Sequence, residues 1–195
     1  MHRLRAVMLG GLVLAALLAA LFAGGVPKAR GDSGPNVCDV QGPWGGFFTG
    51  TLPGDQGTVV FNIYNQVPPV ASDDDGSTDY ALASQLANGL GNAGEGQKYH
   101  FLFTTTLVTN QAVAQGHGFL FVMGTEATFV IAGHGDHPLY GPFKLTAEGS
   151  ISCANGQGTL GNAMFHLRFN NGMSDDGGVV LAKCQSPTEN CPPEL

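Results

Sequence analysis

The stretch Phe143-Lys144-Leu145-Thr146-Ala147-Glu148-Gly149-Ser150-Ile151-Ser152-Cys153 decides the fold. Phe143, Leu145, Ala147, Ile151 and Cys153 fall on one face, while Lys144, Thr146, Glu148, Ser150 and Ser152 fall on the other. A period of two is the mark of a strand with one face buried. Working outward, comparable runs of β-branched and aromatic residues cover Gly46–Leu52, Thr58–Asn65, Tyr99–Thr109, His117–Met123, Glu126–Gly133, Thr159–Asn170 and Val179–Cys184. With the first run they make eight candidate strands.

The breaks between the runs are turn-like. Asn155-Gly156 is a strong hairpin signal, and Met123-Gly124-Thr125 joins two strands tightly. The thirty glycines follow no period, which excludes a collagen-like chain, and they read as turn and bulge residues between apolar runs. Thr78–Asn88 interrupts the pattern. Ser77 or Thr78 can cap it, Leu82, Leu86 and Leu90 follow at i, i+4 and i+8, and Gly89 ends it, so a short helix is expected between the second and third strands. The expected fold class is therefore all-β: a single antiparallel barrel or sandwich of about eight strands with one short inserted helix.

Residues 1–25 are a different material. Arg3 and Arg5 precede an unbroken apolar run from Ala6 to Phe22, the pattern of a signal peptide or N-terminal anchor. Residues 26–37 read as a linker, 38–184 as the β domain and 185–195 as a Pro-rich tail. The expected location is secreted or periplasmic/extracytoplasmic, with the N-terminal segment either cleaved or retained in the membrane. Without residues 1–25 the chain keeps six basic against fifteen acidic residues, a net charge of −9. Nucleic acid and anionic membrane surfaces need clustered Lys and Arg, so both are set aside as partners. Membrane contact is expected only through an uncleaved anchor. The four cysteines Cys38, Cys153, Cys184 and Cys191 form an even set, which in an exported chain suggests two disulfides. Cys38–Cys153 and Cys184–Cys191 is the preferred pairing of the three available.

The chemistry-bearing groups are sparse. His134-Gly135-Asp136-His137 sets two imidazoles three apart in a Gly/Pro-rich stretch, but no spacing fixes a third ligand. Both histidines are read as exposed turn residues, and no metal is expected. Asp73-Asp74-Asp75-Gly76-Ser77-Thr78-Asp79 fails the calcium-loop register, since Ala71 and Leu82 would occupy ligand positions, and reads as a capping loop. There is no G-x-S-x-G elbow. Glu148 and the pair His166 and Arg168 lie on polar faces of their strands. They become pocket groups only if those faces line a lumen.

Cys38-Asp39-Val40-Gln41-Gly42-Pro43-Trp44 resembles the opening of calycin barrels, the lipocalin and avidin-like folds, through Gly42 and Trp44. That resemblance implies a tryptophan closing one barrel end and a small apolar ligand inside. The leading expectation is a non-catalytic, exported, ligand-binding barrel without a cofactor, with Trp44, Glu148, His166 and Arg168 as candidate ligand-binding residues. An isomerase or cyclase resembling allene-oxide-cyclase-like barrels is the alternative, and a structural or adhesive surface domain is the third. The sequence leaves the oligomeric state open.

Overall fold

A computed structural model describes residues 38–69, 75–90 and 96–184. Eight strands form a closed antiparallel barrel in chain order: β1 (Gly42–Gly50), β2 (Gln56–Val67), β3 (Gln97–Leu107), β4 (Ala112–Met123), β5 (Glu126–His137), β6 (Gly141–Ala154), β7 (Gln157–Phe169) and β8 (Ser174–Lys183), with β8 pairing back to β1. Closure leaves no unpaired sheet edge. A helix, α1 (Thr78–Gly89), lies between β2 and β3 in sequence and packs outside the barrel against β4 and β5.

The alternation read in residues 143–153 is what sorts the wall. Phe143, Leu145, Ala147, Ile151 and Cys153 are buried inside, and Leu167 and Phe169 join them from β7. Lys144, Glu148, His166 and Arg168 are exposed outside. Asn155 and Gly156 both take positive φ, 52° and 76°, as the tight β6–β7 hairpin requires.

Several strands run longer than expected, because glycines read as breaks lie within them. Gly116 pairs with Gly133 across β4 and β5, and Gly177 lies within β8. At Gly118 a Cβ would strike the Phe101 ring, and at Gly177 the Phe165 ring. These glycines let aromatic rings lie flat against a narrow barrel wall.

Two expectations are corrected. His137 is not an exposed turn residue: β5 continues to it, and it is 3% exposed, facing inward. Three residues along a strand reverses the face, so His134 and His137 point to opposite sides. In α1, Ala83 and Ala87 are the buried contacts, whereas Leu82 and Leu86 are only partly buried. Small side chains let the helix lie close to Phe119, Phe121, Val130 and Ala132 on the wall.

Candidate functional site

The barrel interior holds an apolar cavity of about 90 Å³. Trp44, Phe61, Phe101, Phe129, Ile131 and Leu145 are among its lining residues. One polar side chain joins them, Thr105, and its hydroxyl already donates to the Val60 carbonyl at 3.1 Å. A hydroxyl satisfied by the wall presents little hydrogen-bonding capacity to a guest.

One end of the barrel is sealed by the segment leading into β1. Cys38 is disulfide-bonded to Cys153 on β6, and Asp39 bridges to Gln157 at the start of β7. From the opposite side of the barrel, Gln66 on β2 accepts from Val40 N and donates to Cys38 O, each at 2.8 Å. The segment thus crosses the end, and Val40 and Trp44 beneath it are 0% and 1% exposed. Cys184 is disulfide-bonded as well. Its expected partner Cys191, the Pro-rich tail, the linker and residues 1–25 lie outside the described residues.

The other end is covered by the four short connections β1–β2, β3–β4, β5–β6 and β7–β8. Asp175, fully buried, points inward there. Its Oδ1 accepts from Thr51 N at 2.6 Å, Thr51 Oγ1 at 2.9 Å and Leu52 N at 2.9 Å, which pins the β1–β2 turn. Asp55, 5% exposed, accepts from Asn110 Nδ2 at 2.7 Å and so ties in the β3–β4 turn. Burial, with the facing Asp175 carboxyl, pushes Asp55 up to about 7. Burial also works to raise Asp175, but hydrogen bonds from Asp55, Leu52 and Thr51 outweigh it and hold that carboxyl below its ordinary value. The same end carries His137, whose Nδ1 accepts from Leu139 N at 3.1 Å and Tyr140 N at 3.3 Å. Burial depresses its pKa, so the ring stays neutral near pH 7.

A second polar cluster lies outside the barrel, at the N-terminus of α1. His100 Nε2 and His117 Nδ1 are 3.1 Å apart, and His117 Nε2 lies 3.3 Å from both Ser77 Oγ and Asp75 Oδ2. Ser77 is the helix N-cap, accepting from Tyr80 N at 3.1 Å. Tyr80 packs edge-on against both imidazoles and Phe119. His134 Nδ1 bonds Asp79 on the first turn of the helix. These contacts fasten the helix N-terminus to β3, β4 and β5. Among the described residues no group of three His, Cys, Asp or Glu is placed to hold a metal ion.

Of the four candidate ligand-binding residues, Trp44 lines the cavity and three stand apart from it. Glu148 borders a groove on the outer wall with Phe47, Met164 and Val180. His166 Nδ1 meets Asp176 Oδ1 at 2.6 Å in solvent, and Arg168 is paired across the sheet with Lys144. The Asp55–Asp175 pair was missed by sequence reading. Its one signal was parity, since Asp175 shares the inward register of Val179 and Leu181.

No family model and no curated protein matches the chain. A solved structure, the S-type phycobiliprotein lyase CPES from Guillardia theta, is similar to it at 13% identity over 75% of this chain and 89% of that one, with a TM-score of 0.33. At that score the similarity supports no functional inference.

Proposed function

We propose that this protein is an exported, non-catalytic barrel that takes up a small apolar molecule in its interior. The observation that carries the reading is the cavity lining, apolar throughout except for a hydroxyl already bonded to the wall. The up-and-down barrel with Trp44 buried at its closed end supports a calycin-type architecture. The Cys38–Cys153 disulfide favours an oxidising compartment, in keeping with export. Among described residues no helix is long and apolar enough to cross a membrane, which leaves the anchor reading of residues 1–25 to experiment.

Size constrains the guest. An apolar cavity of about 150 Å³ accommodates benzene, and this one is about 90 Å³. The occupant is therefore slim, or it enters as lining phenylalanines change rotamer. The small volume also favours a second reading, a purely structural barrel. The lining presents no acid or base, which weighs against the isomerase or cyclase alternative.

Methyl-detected NMR titration with benzene and with n-hexane separates the two. Binding predicts saturable shifts at the cavity-lining Ile63, Ile131 and Leu145, with the exposed Leu139 unmoved. Linear, non-saturating shifts for both probes would leave the structural reading standing.

A further inference from the structure

The two carboxyl groups at the turn-covered end form the least expected arrangement in the barrel. Removing an ionised carboxylate from water is costly unless it is paired or hydrogen-bonded. Asp175 Oδ1 has three donors, which suits an ionised group. Its Oδ2 is sealed from solvent and meets no protein N–H donor among the described residues. The Asp55 carboxyl is hydrogen-bonded to the Asp175 carboxyl, and a Cβ on Gly50 would collide with Oδ2. Two facing carboxylates repel, whereas a carboxylic acid facing a carboxylate makes a strong, charge-assisted hydrogen bond.

We propose that Asp55 and Asp175 share one proton and act as a latch, holding the β1–β2 turn over the entry end of the barrel and releasing it when that proton is lost. The role as a gate rests on the ligand-binding reading; the latch itself does not. The opposite end is closed by the disulfide-tied Cys38–Gln41 segment, so the turn end offers the route to the cavity. With the proton in place, one short network joins three connections. Asp175 leads β8 out of the β7–β8 turn, Thr51 and Leu52 lie in the β1–β2 turn, and Asn110 lies in the β3–β4 turn. Loss of the proton puts two buried negative charges face to face. On release the β1–β2 turn moves and Asp175, which lies within a strand, stays. Asp55 gives up its proton near pH 7. Among the described residues, the other ionisable group on which the pair acts is His137 on β5, which feels the Asp175 charge; its neighbour Asp136 is exposed on the outer face of the strand. Burial lowers the His137 pKa from its ordinary value, which works against its supplying a compensating charge.

The test is hydrogen exchange of the Thr51 and Leu52 amides, the two backbone donors to Asp175, corrected for intrinsic base catalysis. Between about pH 6 and about pH 8 their protection falls roughly tenfold, as the ionised fraction of Asp55 grows. In Asp55→Asn the side-chain amide donates to Asp175 Oδ2 permanently, and protection stays level over the same range. Equal protection at both pH values in the unaltered protein, or a parallel fall in the variant, overturns the latch. Should the variant fail to fold, carbon-detected titration of the Asp55 carboxyl in the unaltered protein decides, and an ordinary acidic midpoint refutes the proposal. The gate is then read from benzene exchange rates, expected to rise about tenfold over the same two pH units. Loss of amide protection with neither benzene nor n-hexane bound at either pH rejects the ligand reading and leaves the latch intact.

Discussion

The indole Nε1–H of Trp44 donates to the carbonyl of Val40 at 2.8 Å, both residues being sealed from solvent. The bond joins the first turn of β1 to the segment crossing the barrel end. It positions the ring against Gly158 and across the head of the cavity. Trp44→Phe keeps much of the ring and deletes the donor, leaving the Val40 carbonyl short of a partner, at a cost of about 1–3 kcal/mol. Trp44→Ala also opens a void and should cost roughly 3–5 kcal/mol. Urea unfolding monitored by far-UV circular dichroism measures both, and equal losses would show that the hydrogen bond, not the ring, dominates.

The Cys38–Cys153 bridge spans a sequence separation of 115. Constraining so long a loop in the unfolded chain is worth about 4–5 kcal/mol by loop-closure entropy. The double variant Cys38→Ser, Cys153→Ser should lower the urea midpoint accordingly, with the barrel-end residues losing exchange protection first. Peptide mapping of the unreduced protein is expected to recover Cys184 linked to Cys191.

Stability should depend on which face of a strand is altered. Phe143→Ala removes a ring from the interior and should cost about 3–5 kcal/mol. Lys144→Ala and Arg168→Ala, on the opposite face of the same strand pair, should each change stability by less than about 0.5 kcal/mol. A large loss at either cation would mean that the outer wall is covered in the working protein.

A rise and a fall in pH should act on the carboxyl pair in opposite senses. Asp55 keeps its proton in the folded state well above its ordinary 3.8, up to about 7. Between those values the unfolded chain has lost a proton that the folded chain retains, so this group's stabilising contribution falls as pH rises through the window. Asp175 is held below 3.8, so its contribution is present above that value and is lost as pH falls below it. Stability attributable to the pair is therefore greatest on the acid side of neutrality. Urea midpoints collected from about pH 3 to about pH 8 should show the Asp55-linked loss as pH rises from about 4 to about 7 in the unaltered protein and not in Asp55→Asn.

His134 is bonded to Asp79, and His137 accepts two backbone N–H groups on the other face of β5. Elemental analysis of untagged protein should accordingly find substoichiometric zinc and copper. One metal per chain, lost in both His134→Ala and His137→Ala, would contradict the opposed placement of the two rings.

The sequence determined the strands, the hairpin at Asn155-Gly156, a helix N-terminus capped by Ser77 or Thr78, and the inward face of Phe143, Leu145 and Ile151. Each is set by residues within a few positions of one another, through a period of two, a positive φ or a capping hydroxyl. Tertiary structure decided the rest. Whether the polar faces holding Glu148, His166 and Arg168 would line a lumen depended on barrel closure, a pairing of β1 with β8 that no local pattern carries. Gly177 of β8 looked like a break because the ring of Phe165 that lies against it comes from the neighbouring strand. The carboxyl pair was hidden for the same reason: Thr51 and Asp175 are 124 residues apart, and only closure brings the two turns together. Local propensity fixes which way a side chain points, but burial and partners follow from chain segments distant in sequence.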